Sequence, residues 1–188
     1  QYLEFKQRHK SADVPRSDIH TYRGKSYLGI DCGSTTTKLV LIDEASRILY
    51  ESYANNQGNP VDVILQELTH IYALCEDRIQ IASSAVTGYG EKLMKAAFHL
   101  DIGMVETMAH YRAARHFNPN VDFIIDIGGQ DMKCFRIKDH SIDDIILNEA
   151  CSSGCGSFVE TFAKSMGYSV EEFSQMGLAG NHPVDLGT

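Results

Sequence analysis

The stretch "GIDCGSTTTKLV", residues 29–40, decides the fold of this chain: a β-prone run ends at Asp31 and turns at once through glycine and small hydroxylated residues. A turn of this kind exposes backbone N–H groups with no bulky side chain over them, which is the form of an anion-binding nest. Mg²⁺ and nucleotide phosphates suit it, because Mg²⁺ keeps most of its waters and is usually held by one or two carboxylates together with phosphates. Asp31 can hold a metal-bound water, and the candidate binding residues are Gly33, Ser34, Thr35, Thr36 and Lys38.

A second glycine turn strengthens this interpretation. Alone, the first stretch is also compatible with a tight hairpin that is merely polar, since neither the P-loop pattern nor the Rossmann spacing of glycines is present. In "IDIGGQDMK", residues 125–133, a strand again ends in an acidic residue, Asp126, and the candidate binding residues that follow are Gly128, Gly129 and Gln130. One carboxylate would hold the metal's water shell and the other would orient the attacking water. We therefore expect Asp31 and Asp126 to converge on one magnesium-bound triphosphate.

The composition is that of a soluble, packed protein, with 43% hydrophobic and 22% charged residues. A formal net charge of −8 gives no general attraction for nucleic acid or for an anionic membrane. No apolar run approaches the roughly 20 residues that span a bilayer, and the first residues lack the apolar core of a signal peptide. We predict a cytoplasmic protein without a nucleic-acid or membrane partner, whose five cysteines are reduced thiols or metal ligands.

The order of the apolar runs predicts an α/β fold. Residues 1–24 mix both charge signs without a sustained period and predict a linker or an N-terminal arm, while structure begins at about residue 25. Three runs, "SYLGID", "KLVLID" and "RILYESY", predict consecutive hairpins of one meander. In the second run both alternating sets of residues are apolar, which predicts a mixed β-sheet covered by helices on both faces.

Local signals also predict where the helices begin and end. Helical spacing of apolar residues after Pro60 predicts an amphipathic helix packed on the sheet, and another helix is expected from about Glu91. Further along, aromatic and methionine side chains four residues apart predict a helix that Gly167 closes in the left-handed conformation. The sequence "SVEE", residues 169–172, has the capping-box spacing of one more short helix.

Four motifs together resemble a known family. The first turn, with a lysine seven residues after Asp31, resembles the first phosphate loop of the actin, heat-shock chaperone and sugar kinase superfamily, and "DIGGQD" resembles its second. Within that superfamily, "GIDCGSTTTK", "TGYG", "IDIGGQDMK" and "NEACSSGCGSFVE" resemble the activator ATPases of 2-hydroxyacyl-CoA dehydratases and the ATP-binding subunits of benzoyl-CoA reductases. The similarity extends over residues 26–188.

This resemblance implies a fold and a set of partners. Residues 25–188 would be the N-terminal lobe of an actin-like ATPase domain of the ribonuclease H-like type, with most of the second lobe missing, as in a fragment of a longer tandem protein. The implied cofactors are ATP, Mg²⁺ and a [4Fe–4S] cluster bridging a homodimer or a tandem-domain pair. A CoA-ester dehydratase or reductase component would be the partner.

Cys151 and Cys155 are the candidate cluster ligands. Cys151 lies just before a predicted helix, whose N-terminal partial charge favours the thiolate that binds iron. In the resembled activators the matching cysteine is one of two per subunit, so that a symmetric dimer supplies four thiolates. The second would follow shortly after residue 188. Cys155 stands where those activators carry threonine, and it is either an alternative ligand or a small buried residue lining the turn.

Glu106 is the third candidate catalytic residue. It lies four residues before His110 and either polarises water near the phosphate or is a carboxylate at a helix start beside a surface histidine.

The sequence therefore predicts an ATP-driven donor of low-potential electrons. One alternative is a small-molecule kinase of the same superfamily with structural cysteines, and another is a nucleotide-sensing docking module of a larger protein. Because the lobe that contacts adenosine is expected to be missing, we expect residues 1–188 alone to hydrolyse ATP poorly or not at all.

Overall fold

The computed structural model describes residues 4, 7, 14–56, 58–129, 131–148, 155–182 and 184. The chain divides into two compact units, residues 1–112 and 113–188, and the division falls inside a helix. The strands are β1 Gly24–Cys32, β2 Thr36–Asp43, β3 Ile48–Asn55, β4 Ile79–Thr87, β5 Ile102–Gly103, β6 Phe123–Ile127, β7 Met132–Lys138 and β8 Ser141–Asn148. The helices are α1 Pro60–Cys75, α2 Glu91–Ala97, α3 Glu106–Phe117, α4 Gly156–Ser165 and α5 Val170–Leu178. Within these ranges, every helix is too short or too polar to cross a membrane.

The first unit is built on a mixed five-stranded sheet in the order β3-β2-β1-β4-β5. Strands β1, β2 and β3 pair antiparallel, which confirms the predicted meander. Strand β4 instead pairs parallel with β1, and β5 pairs parallel with β4. A parallel neighbour requires a crossover connection, and α1 supplies it between β3 and β4. The predicted α/β class with a mixed sheet is confirmed.

The buried core of the first unit lies on one face of this sheet. Alternate residues of β1 and β2, with Leu28 and Leu41 as examples, are between 0% and 5% exposed there. Ile64 and Ile71 of α1 and Met94 of α2 complete the cluster and are fully buried. Full burial of such a side chain contributes about 1.5–3 kcal/mol, so this face anchors the strands. The intervening residues of β1, β2 and β4 border a cavity of about 690 Å³ on the other face.

The segment before β1 packs along the edge of the same sheet. Ser17 N–H donates to the Ile48 carbonyl at 2.9 Å, and Ile48 N–H donates to the Pro15 carbonyl at 2.8 Å. Ile19 is buried. The Arg78 guanidinium donates to the carbonyls of Ile19 and His20 at 2.9 Å. Residues 14–23 are therefore an arm held by the first unit itself.

The second unit contains an antiparallel sheet in the order β6-β7-β8, with α4 and α5 following. Gly167 has φ +80° just after α4, which confirms the predicted left-handed closure. The predicted capping box is also present: the Ser169 hydroxyl accepts from Glu172 N–H at 3.1 Å, and the Glu172 carboxylate accepts from Ser169 N–H at 2.9 Å. Local sequence signals thus decide the ends of both helices.

A buried carboxylate holds the β2–β3 hairpin. Asp43 is 1% exposed and accepts hydrogen bonds from the backbone N–H groups of Arg47 and Ala45, both at 2.9 Å. The Arg47 Nε donates to its second oxygen at 2.7 Å. Burial alone would raise the pKa of the Asp43 carboxyl, but these hydrogen bonds and the guanidinium charge together hold the pKa below its usual range.

We predict that Asp43 makes the fold acid-sensitive. Because the pKa is lower in the folded chain than the usual value of about 3.9, the carboxylate stabilises the fold above about pH 4, and this contribution is lost as the pH falls through the folded-state pKa. Asp43→Asn should lower the free energy of unfolding at neutral pH by about 1–3 kcal/mol and flatten its decline below about pH 4. Urea denaturation across this pH range measures both effects. The exposed Asp77→Asn is the control, and equal behaviour of the two variants would refute the prediction.

Candidate functional site

The first glycine turn places a carboxylate and an ammonium side by side. Asp31 and Lys38 are direct partners in the antiparallel register of β1 and β2. Lys38 Nζ lies 2.8 Å from Asp31 Oδ2, and their side chains are 41% and 25% exposed, respectively. Both groups line the cavity on the open face of the sheet. The pair is therefore accessible to a ligand.

The turn itself is closed by one backbone hydrogen bond. Gly33 N–H donates to the Thr36 carbonyl at 2.9 Å. A Cβ atom on Gly33 would lie only 2.9 Å from that same oxygen, so the turn needs glycine at this position. Four residues thus reverse the chain and leave Ser34 and Thr35 at the tip of the hairpin.

The "TGYG" motif, residues 87–90, packs directly behind this turn. Gly88 has φ +92°, and a Cβ atom there would lie 2.5 Å from the Cys32 carbonyl oxygen. Gly90 N–H donates to that carbonyl at 3.1 Å. As a sequence pattern the motif is weak, but its glycines let two backbone segments touch beside Asp31.

Thr87 adds a hydroxyl that sequence reasoning missed. It pairs with Asp31 in the parallel register of β1 and β4 and lines the same cavity. Its Oγ1 is buried and has no hydrogen-bond partner among the described residues. An unpaired buried hydroxyl costs about 1–3 kcal/mol and calls for an explanation, such as a ligand that supplies the partner. The carboxylate, the ammonium and this hydroxyl fit a magnesium-bound phosphate.

The second glycine turn repeats the first within the second unit. Asp126 pairs with Lys133 in the register of β6 and β7, as Asp31 pairs with Lys38. Gly128 N–H donates to the Asp131 carbonyl at 2.9 Å, which closes the turn in the same way. One difference is that Lys133 Nζ lies 2.9 Å from the Asp131 carboxylate. The internal repeat predicted from the sequence is present in the backbone.

The two glycines of the second turn have different surroundings. A Cβ atom on Gly128 would lie 2.6 Å from Asp131 Oδ1, whereas a Cβ atom on Gly129 would meet no atom of the described residues within 4 Å. Gly129 therefore borders open space, where an anion can approach its backbone. Gln130, the next candidate binding residue, lies outside the described residues.

Helix α4 begins on this second turn. Gly156 N–H donates to the Gly128 carbonyl at 3.0 Å, and Ser157 N–H donates to the Gly129 carbonyl at 2.9 Å. The first four N–H groups of a helix have no partner within it, and here the turn supplies partners for the first two. A Cβ atom on Gly156 would lie 3.3 Å from the Gly128 oxygen, so the contact is close. The sequence did not predict these hydrogen bonds between the second turn and α4.

Cys155 is the N-cap residue of α4 and is 2% exposed. Its Sγ lies 3.2 Å from Ser157 Oγ, and this hydrogen bond, together with the Phe158 N–H, holds the pKa of the thiol below its usual range. The lowered pKa suits a metal-binding thiolate, but the burial favours the alternative of a small residue that lines the turn. Cys151 lies outside the described residues.

Glu106 is the first residue of α3, and His110 follows one helical turn later. Both side chains are half-buried. The position of Glu106 agrees with a carboxylate at a helix start, where it interacts favourably with the helix dipole. Its catalytic role stays a prediction.

The fold and the two glycine turns together are those of the actin-like class of ATPase folds. The chain belongs to the BadF/BadG/BcrA/BcrD ATPase family, whose family model matches residues 28–184. It is 29% identical over 162 residues to the (R)-2-hydroxyglutaryl-CoA dehydratase activating ATPase of Acidaminococcus fermentans, a match that covers 85% of this chain and 60% of that protein. The family assignment confirms the resemblance inferred from the four motifs.

Solved structures agree with this assignment. The crystal structure of component A of the Acidaminococcus fermentans (R)-2-hydroxyglutaryl-CoA dehydratase superposes with a TM-score of 0.73 at 25% identity, covering 88% of this chain and 63% of that one. The activator of the 2-hydroxyisocaproyl-CoA dehydratase from Clostridium difficile, with bound ADPNP, gives 0.72 at 25% identity, covering 87% and 60%. The chain spans about three fifths of the length of these relatives.

We predict that Gly129→Ala, introduced into the full-length protein, weakens nucleotide binding and leaves the fold intact. Among the described residues, the added methyl group meets no atom within 4 Å, so it should occupy only the space proposed for phosphate. Calorimetry with Mg·ATP should show affinity reduced by about tenfold or more, a loss of about 1.4 kcal/mol, with an unchanged melting temperature. Gly177→Ala in α5, which is equally uncrowded, is the matched control. Unchanged ATP affinity in Gly129→Ala would show that the second turn is not a phosphate site.

Proposed function

We propose that this protein is an ATP-hydrolysing activator that couples nucleotide turnover to low-potential electron transfer toward a CoA-ester dehydratase or reductase component. Family membership supports ATP hydrolysis, and the names of the relatives support this kind of partner. The proposal also includes the electron-transfer step, a homodimer or tandem partner, and a cytoplasmic location. ATP and Mg²⁺ would bind at the glycine turns.

The proposed coupling between nucleotide turnover and the thiols is based on one observation: the second glycine turn is hydrogen-bonded to the start of α4, the helix that Cys155 caps. Gly128 and Gly129 accept from the first two N–H groups of α4, and Cys155 caps that helix. A turn that moves when a phosphate enters or leaves must therefore move the helix start or break these bonds. This contact would be a physical route from the nucleotide state to the start of α4 and to Cys155.

The residues of the turns have distinct roles in this proposal. Asp31 and Asp126 would divide two tasks, holding the water shell of Mg²⁺ and orienting the attacking water, and Glu106 would polarise that water. Lys38, close to Asp31, would neutralise phosphate charge. Magnesium, when bound, supplies charge stabilisation to the transferring phosphoryl group. Release of the γ-phosphate would remove a ligand shared by the turns and shift the second one.

The thiols would hold the iron–sulfur cluster. Cys151, just before α4 in the sequence, is the proposed ligand, together with one further cysteine of the same subunit and the equivalent pair of a second subunit. When bound, the cluster supplies one low-potential electron per cycle. Cys155 would stay at the N-cap, where Ser157 orients its sulfur. Because Cys155 is buried in the second unit, Cys151 is preferred to Cys155 as the cluster ligand.

Anaerobic reconstitution of the full-length protein with iron and sulfide tests this proposal. We expect a four-iron EPR signal in the reduced protein, ATP hydrolysis, and a change in the signal when Mg·ATP is added. Cys151→Ser should abolish the signal without abolishing ATP hydrolysis, while Cys134→Ser in β7 should keep both. ATP hydrolysis by a wild-type protein without a four-iron signal would remove the redox role.

A separate variant tests the contact between the second glycine turn and the start of α4. Gly156→Val adds a side chain toward the Gly128 oxygen, where even a Cβ atom would be tightly packed at 3.3 Å. It should keep the EPR signal but lose the response of that signal to Mg·ATP, while Gly177→Ala keeps the response. A full response in Gly156→Val would mean that nucleotide and thiols are coupled by another route.

A further inference from the structure

Asn56 is a buried polar residue in the first unit that no sequence pattern singles out. It follows β3 directly and is 2% exposed. A buried amide is costly unless its donors and acceptors are paired, so its partners reveal what it stabilises.

Those partners are the carbonyls of the first glycine turn. Asn56 Nδ2 donates to the Gly33 carbonyl at 2.9 Å, and Asn56 N–H donates to the Thr35 carbonyl at 2.9 Å. Its Oδ1 accepts from Gly58 N–H at 3.2 Å. One residue therefore binds two of the carbonyl oxygens of the turn.

The same residue connects the turn to α1. The Asn56 carbonyl accepts from Asn59 N–H at 2.6 Å, and Asn59 is the N-cap residue of α1. Helix α1 is fixed in the core through the fully buried Ile64 and Ile71. The turn is thus held to a rigid element of the unit in addition to the hydrogen bond that closes its own hairpin.

The hydrogen bonds of Asn56 to the first turn suit a turn that binds phosphate. A carbonyl oxygen carries partial negative charge and repels an anion, so an anion nest requires the carbonyls of the loop to point away from the ligand. We propose that Asn56 is a positioning residue for nucleotide binding: by holding the Gly33 and Thr35 carbonyls, it fixes the first turn in the conformation that presents N–H groups to the phosphates. This inference rests on the proposed function, which assigns phosphate binding to that turn.

Asn56→Asp is the most selective test, because it keeps the shape of the side chain and the acceptor for Gly58. It replaces the Nδ2 donor with an oxygen that faces the Gly33 carbonyl. Asn55→Asp, an exposed neighbour in β3, adds the same charge one residue away and is the matched control. Calorimetry on the full-length protein, with magnesium tripolyphosphate as the probe and Mg·ATP as a second ligand, measures the effect.

We expect Asn56→Asp to weaken tripolyphosphate binding by about tenfold or more near pH 8, and Asn55→Asp to change it by less than about threefold. The difference should shrink near about pH 5.5, because a buried carboxyl has a raised pKa and its protonated form again donates to the Gly33 carbonyl. If Asn56 only stabilised the fold, Asn56→Asp would not regain tripolyphosphate affinity at the lower pH. Should Asn56→Asp fail to fold, as judged by circular dichroism, Asn56→Ser is measured instead, with the same expected loss near pH 8.

The outcomes separate this inference from the proposed function. If the wild type binds tripolyphosphate and Asn56→Asp binds it as tightly as Asn55→Asp does, the positioning role is wrong and the proposed function stands. If the wild type binds neither tripolyphosphate nor Mg·ATP, both fail. If the protein binds both ligands but forms no four-iron cluster, only the redox part of the proposed function is wrong.

Discussion

A single backbone hydrogen bond closes each glycine turn, and the rest of the candidate site depends on this constraint. Gly33 donates to Thr36 in one unit and Gly128 donates to Asp131 in the other. A reversal this short leaves no freedom in register, so residues seven apart must face each other across each hairpin. Because one of each facing pair is aspartate and the other lysine, both hairpins bring opposite charges to the base of the glycine turn.

The two turns differ in what supports them. Behind the first lie the close-packed glycines of residues 87–90 and the buried amide of Asn56, all fixed to the core of the first unit. Behind the second lies the start of α4. A turn fixed to a core suits a permanent binding surface, whereas a turn joined to the end of a helix suits a part that transmits movement. This difference is the structural basis of the proposed coupling.

Local signals predicted much of the fold from the sequence. The meander, the helix after Pro60, the closure at Gly167 and the capping box at Ser169 depend on residues close in the chain. Asn56 could not be predicted in this way, because its role depends on a carbonyl 23 residues away. The same holds for the contact of Gly156 with Gly128, which only the folded second unit creates. The hydroxyl of Thr87, which has no partner in the part of the chain that the structure describes, likewise becomes evident only when neighbouring strands are in place.

The proposed function has one requirement: both turns bind the phosphates of one nucleotide. Paramagnetic broadening of backbone amide signals by manganese-substituted ATP, measured by NMR on the isotopically labelled protein, tests it most directly, since Mn²⁺ broadens only nearby amides. We expect the amides of residues 33–36 and those of Gly128 and Gly129 to broaden together along one saturation curve. Broadening of one turn alone, or of the two turns with separate affinities, would contradict the claim.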